Sequence, residues 1–323
     1  MSQPVTPPLP DDFSRDRSQP PAPPAVPVPI ISLEPGGEGI VIEAPPPSDA
    51  RGPGVPARIP HLGHAILFLS LALLLLIVAQ LSLLGFAHPV ADPHKTAAAA
   101  NHPKLIVAAE AISYTFTLIA AWLFFPLLWQ RAFGDGIQWD FAAAKRNAWK
   151  LIPIGLVAGF AVQAISSLIP VPKSIPMDDF FRTSSDVWLV TVFGTTLAPM
   201  MEEIAFRGFL LPAFAIAYDW LSLPRTPAAR EHWHQTTGLT TTAVIFSAIL
   251  SSIFFALLHG AQLAHAWVAL FVLFCVSLVL TVVRVRTHSV ACSTLVHASY
   301  NASVFLTMFI ATGGYRHLER IAR

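Results

Sequence analysis

Charged residues are scarce in this chain. Asp, Glu, Lys and Arg together make up 12% of its 323 residues, which is about half the share found in soluble domains. Apolar residues make up 54%, and the mean hydropathy is +0.58. This composition excludes an ordinary soluble globular domain and predicts an all-α polytopic membrane protein. The net charge of +1 gives no support to a role in binding nucleic acid.

Cysteine is almost missing. The two cysteines, Cys275 and Cys292, cannot build a disulfide framework, and we expect both to be buried free thiols. The sequence has no Cys/His spacing typical of zinc sites and no His-Glu-x-x-His motif. Its N-terminus lacks a basic region followed by an apolar one, so we expect the first membrane helix to act as the insertion signal.

Proline is concentrated at one end. Residues 1–60 contain 17 of the 29 prolines, which predicts a disordered proline-rich tail. Seven apolar segments follow, and together they predict a bundle of seven to eight transmembrane helices. The count is open because the long fourth segment contains Pro199 and could be broken. The segments span about 62–86, 105–129, 151–169, 187–220, 240–259, 263–283 and 289–312.

Basic residues between the segments predict the orientation. The loop 131–150 has the highest density of lysine and arginine, so the positive-inside rule puts it, together with the N-terminal tail, in the cytoplasm. We expect the plasma membrane of a prokaryote. Seven spans would leave the C-terminus outside, whereas three arginines near the C-terminus favour the inside, and an eighth span would remove this conflict. These arginines are Arg316, Arg320 and Arg323.

Three charged residues lie in the middle of the fourth segment: Glu202, Glu203 and Arg207. Each would cost roughly 2.5–3.5 kcal/mol at the centre of a bilayer, so such residues usually face a protein interior and have a function. Glu203 and Arg207 are one helical turn apart, which predicts an ion pair. Glu202 points about 100° away and is therefore the carboxylate left free for chemistry. Pro199 is expected to kink this helix and to open room beside it.

Two further segments present polar faces. Phe255 and His259 are spaced i,i+4, as are His297 and Asn301. A carboxylate and two imidazoles can activate a water molecule, either as bases or through a metal ion. If a metal takes part, zinc held by Glu202, His259 and His297 is the candidate.

Two features of the sequence do not fit easily with a single site built from Glu202, His259 and His297. Glu110, one turn into the second segment, could belong to the site, but we expect it to be a helix-end group that reaches the membrane interface. Counting helical rise from the segment ends puts Glu202 and His259 about 25–30 Å deep but His297 at about 12 Å.

The three motifs, Glu-Glu-x-x-x-Arg, Phe-x-x-x-His and His-x-x-x-Asn, occur in this order within about 100 residues. In this order they resemble the CPBP family, the CAAX-protease and bacteriocin-processing intramembrane proteases, which includes the type II CAAX prenyl endopeptidases. The stretch from Arg286 to His297 is similar to the family's lead into the third motif, with His288 where members often have glycine.

The resemblance implies an intramembrane endopeptidase. It implies that Glu202, helped by His259, activates water, that Glu203 and Arg207 support the geometry, and that His297 and Asn301 stabilise the oxyanion. The expected partners are a membrane-associated protein or peptide substrate and the lipid bilayer, with no firmly expected cofactor. The implied organisation is a tail (1–60), N-terminal transmembrane helices (61–186), a catalytic transmembrane domain (187–312) and a C-terminal tail (313–323).

Two other functions stay open at this point. A non-enzymatic immunity or scaffold protein could use the same cavity for binding. A proton-coupled transporter could use the acid and imidazole groups as a relay, although the seven segments show no inverted repeat.

Overall fold

The structure is a computed structural model that describes residues 58–87, 102–168 and 176–320. All of these residues belong to one unit, Gly39–Arg323. Within these ranges all regular secondary structure is helical, which confirms the all-α prediction. Disorder is predicted for the proline-rich tail, residues 1–60. Residues 1–57 of this tail lie outside the described part of the chain.

The described ranges contain eleven α-helices, one π-helical segment (Ile204–Leu210) and two short 3-10 helices (Pro176–Phe181 and Leu318–Arg320). The α-helices, in chain order, are α1 Leu62–Ala87, α2 Pro103–Trp129, α3 Phe133–Ile137, α4 Phe141–Ser166, α5 Ser184–Thr195, α6 Leu197–Glu203, α7 Leu211–Ser222, α8 Pro227–Gln235, α9 Thr241–Leu258, α10 Trp267–Thr287 and α11 Val290–Ala311.

Seven helical stretches in the described ranges are long and apolar enough to cross a membrane. Six of them are the single helices α1, α2, α4, α9, α10 and α11, and the seventh is the 39-residue stretch Ser184–Ser222. Large apolar side chains are exposed on the outer faces of these helices, for example Leu73 (59%) and Trp122 (69%). Exposed apolar surface of this extent is typical of contact with lipid, and the chain is an integral membrane protein.

Helix α4 begins ten residues earlier than the apolar pattern predicts. Asp140 caps it, since its Oδ1 accepts a hydrogen bond of 2.8 Å from the backbone N–H of Ala143. The predicted loop 131–150 is therefore wrong over its second half. Its basic residues Lys145 and Lys150 lie on the first turns of a membrane helix.

Contacts at the helix ends give the direction of the spans. Arg58, just before α1, donates hydrogen bonds to the carbonyl oxygens of Thr236 (2.6 Å) and Gly238 (2.8 Å), which precede α9. We call this side of the bundle the N-end. At the other side, the C-end, Ser184 at the start of α5 donates a hydrogen bond to the carbonyl oxygen of Tyr315. The two termini of the described unit therefore lie at opposite ends, as seven crossings require.

Small residues let α4 lie very close to α11. A Cβ atom added to Gly155 would overlap with the carbonyl oxygen of Val296, and one added to Gly159 would overlap with the hydroxyl of Ser303. Small residues at a helix interface allow backbones to approach this closely. The close approach also fixes the height of α11, the helix that carries His297.

The start of α11 lies inside the bundle rather than at its surface. The backbone N–H of Val290 donates a hydrogen bond of 3.0 Å to the carbonyl oxygen of Gln138, and both Ser289 and Val290 are fully buried. The predicted shallow position of His297 is therefore wrong, because the rise was counted from a helix end assumed to be at the membrane surface. The cysteine prediction is half wrong: Cys292 is buried, but Cys275 is exposed.

Candidate active site

The helix that carries the two glutamates is broken just before them. Helix α5 ends at Thr195, and Thr196 has φ −125° and ψ −81°, outside the helical range. A proline ring clashes with the carbonyl group four residues earlier, and Thr195 is that residue for Pro199. The expected kink at Pro199 is thus a break at Thr196, and the proline lies within the first turn of the new helix α6, where its missing N–H leaves no bond unmade.

A π-helical segment follows α6. Its residues Ile204–Phe209 are all buried, because the segment runs through the centre of the bundle and is surrounded on every side. Single π-helical turns occur frequently at functional sites. This one brings the side chain of Arg207 into the interior.

Glu203 lies at the centre of a buried ion-pair network. Its Oε1 accepts hydrogen bonds from Nη1 of Arg207 (2.8 Å) and from Nδ1 of His297 (3.0 Å). The side chains of Glu203 and Arg207 are 0% and 1% exposed. The ion pair predicted from the i,i+4 spacing is therefore present, and it also orients His297.

Arg207 joins the ion pair to two other helices. Its Nη2 donates to the backbone oxygen (2.8 Å) and the hydroxyl (2.7 Å) of Ser277 on α10. The Ser277 hydroxyl in turn donates to that of Ser252 on α9 (3.0 Å). The guanidinium also lies 4.9 Å from the ring centroid of Phe255, a cation–π contact. Because these groups connect four segments, they restrain the position of Glu203.

Glu202 is the accessible member of the glutamate pair. Its side chain is 20% exposed, and its Oε2 lies 3.7 Å from Nε2 of His297. That distance is too long for a direct hydrogen bond. The two nitrogens of His297 therefore face the two glutamates, one buried and fixed, the other open.

His259 lies near His297 but has no hydrogen bond to His297 or to either glutamate among the described contacts. It caps the C-terminus of α9, where its Nδ1 lies 2.8 Å from the carbonyl oxygen of Phe255. The phenyl ring of Phe255 contacts the imidazoles of both His259 (centroids 4.9 Å apart) and His297 (5.9 Å). The two imidazoles thus share one aromatic neighbour.

Asn301 lies one turn beyond His297 and is half-buried. Its Nδ2 donates a hydrogen bond of 2.7 Å to the carbonyl oxygen of Gly194, near the end of α5. The predicted site residues therefore fall into three groups. Glu202, Glu203, Arg207 and His297 come together, His259 is linked to them through Phe255, and Asn301 contacts the broken end of α5.

A metal ion would need three or more ligands within reach of one point. In the part of the chain that the structure describes, no three His, Cys, Asp or Glu side chains form such a group. Glu202, His259 and His297 as arranged therefore do not fit a zinc site.

Tyr114 of α2 is not among the residues considered from the sequence. Its ring stacks on that of Phe193 of α5, with centroids 5.7 Å apart. Glu110, one turn before Tyr114, was considered from the sequence and was assigned to the membrane interface. Both residues are half-buried. Their i,i+4 spacing within a membrane span puts both groups on one face of α2, which is the signal that could have drawn attention to Tyr114.

The comparisons with known proteins agree with the three motifs. Residues 184–303 match the family model described as Type II CAAX prenyl endopeptidase Rce1-like. No curated protein and no solved structure matches the chain significantly. The matched segment begins at the first residue of α5 and includes the glutamate pair, His259, His297 and Asn301. The match over residues 184–303 supports a relationship to the CPBP family of intramembrane proteases.

Proposed function

We propose that this protein hydrolyses peptide bonds of membrane-associated substrates with a water molecule activated by Glu202. The observation that carries the proposal is the contrast between the two glutamates. Glu203 is buried and held by Arg207 and His297, whereas Glu202 is open and has Nε2 of His297 at 3.7 Å. A water molecule that contacts both Glu202 and His297 would lose its proton to the carboxylate.

The Glu203 carboxylate supports this step by fixing the imidazole. An ionised carboxylate only accepts hydrogen bonds, so Nδ1 of His297 carries the proton in that contact. Nε2 is then the nitrogen directed at Glu202 and the reacting water. A fixed tautomer and ring orientation lower the reorganisation needed when charge develops on the substrate oxygen.

His259 and Asn301 complete the proposed site from two sides. His259, at the end of α9, assists the activation of water from the side of Phe255. One amide hydrogen of Asn301 is used by Gly194, so the second is the donor available to a developing oxyanion. Each such donor typically contributes 10²–10³-fold to the rate.

The test compares cleavage products in membranes. Cells expressing the wild type and cells expressing Glu202→Gln are compared by mass spectrometry for peptide termini that appear only with the wild type. We expect such termini in membrane-associated proteins, and we expect Glu203→Gln and His297→Ala to lose them too. Glu231→Gln is the matched control, because Glu231 is an exposed carboxylate on α8 that bonds only to Gln235 among the described residues.

A second measurement uses purified protein in liposomes. The probes are a farnesylated peptide with a Cys-aliphatic-aliphatic-X end and the same peptide without the lipid. Faster cleavage of the lipidated peptide would identify prenylated ends as substrates. Identical termini in wild-type and Glu202→Gln membranes would contradict the proposal and favour a binding role for the same cavity.

The orientation in the membrane is part of this proposal. Most of the described lysines and arginines lie at the N-end, so the positive-inside rule puts that end in the cytoplasm. These residues are Arg58, Arg131, Lys145, Arg146, Lys150, Arg225, Arg230, Arg284 and Arg286. The C-end, with residues 312–320, then faces the opposite side of the membrane.

A further inference from the structure

Arg284, near the end of α10, is a buried cation without an acidic partner. The residue is 4% exposed, and none of the ion pairs among the described residues includes it. Its Nη2 donates a hydrogen bond to the side-chain oxygen of Gln138, while its Nε is buried and has no hydrogen-bond partner. An uncompensated guanidinium inside a membrane protein is costly, and such groups usually have a function.

A second arginine, Arg58, lies at the same end of the bundle and is held by uncharged groups. Besides its bonds to the carbonyl oxygens of Thr236 and Gly238, its guanidinium lies over the ring of Trp233, 3.4 Å from the centroid, in a cation–π contact. These partners fix the position of the guanidinium without neutralising it.

Two carboxylates act on these arginines from a distance, but both are bonded to other groups. Asp219, which acts on Arg58, accepts hydrogen bonds from the backbone N–H (2.8 Å) and the hydroxyl (2.6 Å) of Thr240. Glu203, which acts on Arg284, belongs to the ion-pair network of the active site. Neither carboxylate lies within 4 Å of the guanidinium on which it acts, so both cations can bind a further anion.

Arg58 and Arg284 line one cavity at the N-end. Its volume is about 40 Å³, which is room for roughly three water molecules or for one group of similar size, such as phosphate. Much of its wall is apolar, for example Ile137, Leu211 and Leu239, and none of its described lining residues is acidic. Because guanidinium groups present several N–H donors that match the oxygens of phosphate, the cavity has the chemistry of an oxyanion site.

A larger cavity adjoins the first on the outside of the bundle. It has a volume of about 410 Å³ and shares Arg58 and Ile216 with the smaller cavity. Its walls include Trp220 and Trp233, whose ring centroids are 5.7 Å apart, and Trp220 is 50% exposed. Tryptophan is enriched where lipid headgroups meet the hydrocarbon layer, so the larger cavity suits the glycerol and acyl part of a lipid whose phosphate lies in the smaller one.

We propose that the cavity lined by Arg58 and Arg284 binds a phosphate group, carried by an anionic phospholipid or free in solution. Basic pockets between membrane helices bind lipid headgroups in this way. The phosphate supplies the negative charge that Arg284 lacks within the described protein. Since Arg284 bonds to Gln138, and the backbone oxygen of Gln138 accepts the N–H of Val290, the bound phosphate also stabilises the start of α11. This inference does not depend on the proposed hydrolysis.

The experiment measures thermal unfolding of the full-length protein in a neutral detergent with added phosphatidylglycerol, phosphatidylcholine or inorganic phosphate, the last against chloride at equal ionic strength. A ligand of the folded state raises the unfolding temperature as its concentration rises, which gives a Kd. We expect phosphatidylglycerol to bind more tightly than phosphatidylcholine, because the choline group offsets the phosphate charge. Arg284→Gln should weaken binding by about 10–100-fold, the usual effect of one hydrogen bond to a charged group. The matched control is Arg286→Gln, because Arg286 is exposed on the same helix, and it should bind like the wild type.

The arms of the experiment separate the two sources of phosphate. Stabilisation by inorganic phosphate that Arg284→Gln weakens supports a free anion as the ligand, and stabilisation confined to phosphatidylglycerol supports the lipid. If none of the three stabilises the protein, or if Arg286→Gln weakens binding as much as Arg284→Gln, the proposal is overturned. If Arg284→Gln does not yield folded protein, Arg58→Gln carries the test, and an affinity equal to that of the wild type then overturns the proposal.

Discussion

Asn301 of α11 donates a hydrogen bond of 2.7 Å to the carbonyl oxygen of Gly194, the second-last residue of α5. The last carbonyl groups of a helix have no partner within it, so this side chain satisfies a group that the break at Thr196 leaves open. The bond ties the third motif to the segment that leads into the first. A residue predicted to stabilise an oxyanion therefore also has a structural contact.

Replacing Asn301 should separate these two roles. Asn301→Leu removes the donor to Gly194, and we expect a loss of about 1–3 kcal/mol in the free energy of unfolding, together with a loss of kcat. Titration with a denaturing detergent measures the first and peptide cleavage the second. Asn147→Leu is the control, since Asn147 bonds only within its own helix among the described residues. Unchanged stability with a large loss of kcat would assign Asn301 to the oxyanion alone.

Arg207→Met should be strongly destabilising. The substitution leaves the carboxylate of Glu203 buried with one fewer cationic partner, which typically costs about 3–5 kcal/mol. Thermal unfolding in detergent should show the loss, and Arg286→Met, at an exposed position of α10, should unfold like the wild type. A variant as stable as the wild type would mean that the ion pair is not needed for the fold.

The contact between α4 and α11 should be intolerant of even one methyl group. Gly159→Ala introduces a Cβ that overlaps with Ser303, and overpacking of this kind costs about 1–3 kcal/mol. The helices would have to separate, which would also shift His297 relative to Glu203. We expect lower thermal stability and lower activity. Gly85→Ala is the matched control, because nothing lies within 4 Å of the added atom; equal effects of the two substitutions would contradict this account.

The orientation can be tested with single cysteines. In a background with Cys275→Ser and Cys292→Ser, a membrane-impermeant maleimide should label Glu319→Cys in intact cells and Glu231→Cys only after permeabilisation. Glu319 is at the C-end and Glu231 near the N-end. Labelling of both in intact cells, or of neither, would contradict seven crossings, and the reverse pattern would invert the orientation.

Local spacing was sufficient for those parts of the site that depend on one helix. The pair Glu203 and Arg207 followed from the i,i+4 rule, and the choice of Glu202 as the open carboxylate followed from its angle to Glu203. Both depend only on helix geometry. The seven apolar stretches were equally readable, because each must provide enough apolar length for the bilayer.

The features that the sequence did not predict depend on packing between helices. The depth of His297 depends on the bond between Val290 and Gln138, which draws the start of α11 into the bundle. How α2 meets α6 is likewise set by packing between helices, and a single acid near the start of a span, such as Glu110, is also what an interface residue looks like. The sequence predicted a kink at Pro199, but the helix breaks at Thr196. The break comes earlier because a proline ring disrupts the helical turn that precedes it.

The broken stretch Ser184–Ser222 has 39 residues, about 58 Å if it were one straight helix, whereas the hydrocarbon layer is about 30 Å thick. The joint at Thr196 and the π-helical segment lie on either side of Glu202 and Glu203, so the surplus length is accommodated next to these two carboxylates. The fit of this stretch to a bilayer and the placement of the two glutamates therefore depend on the same two joints.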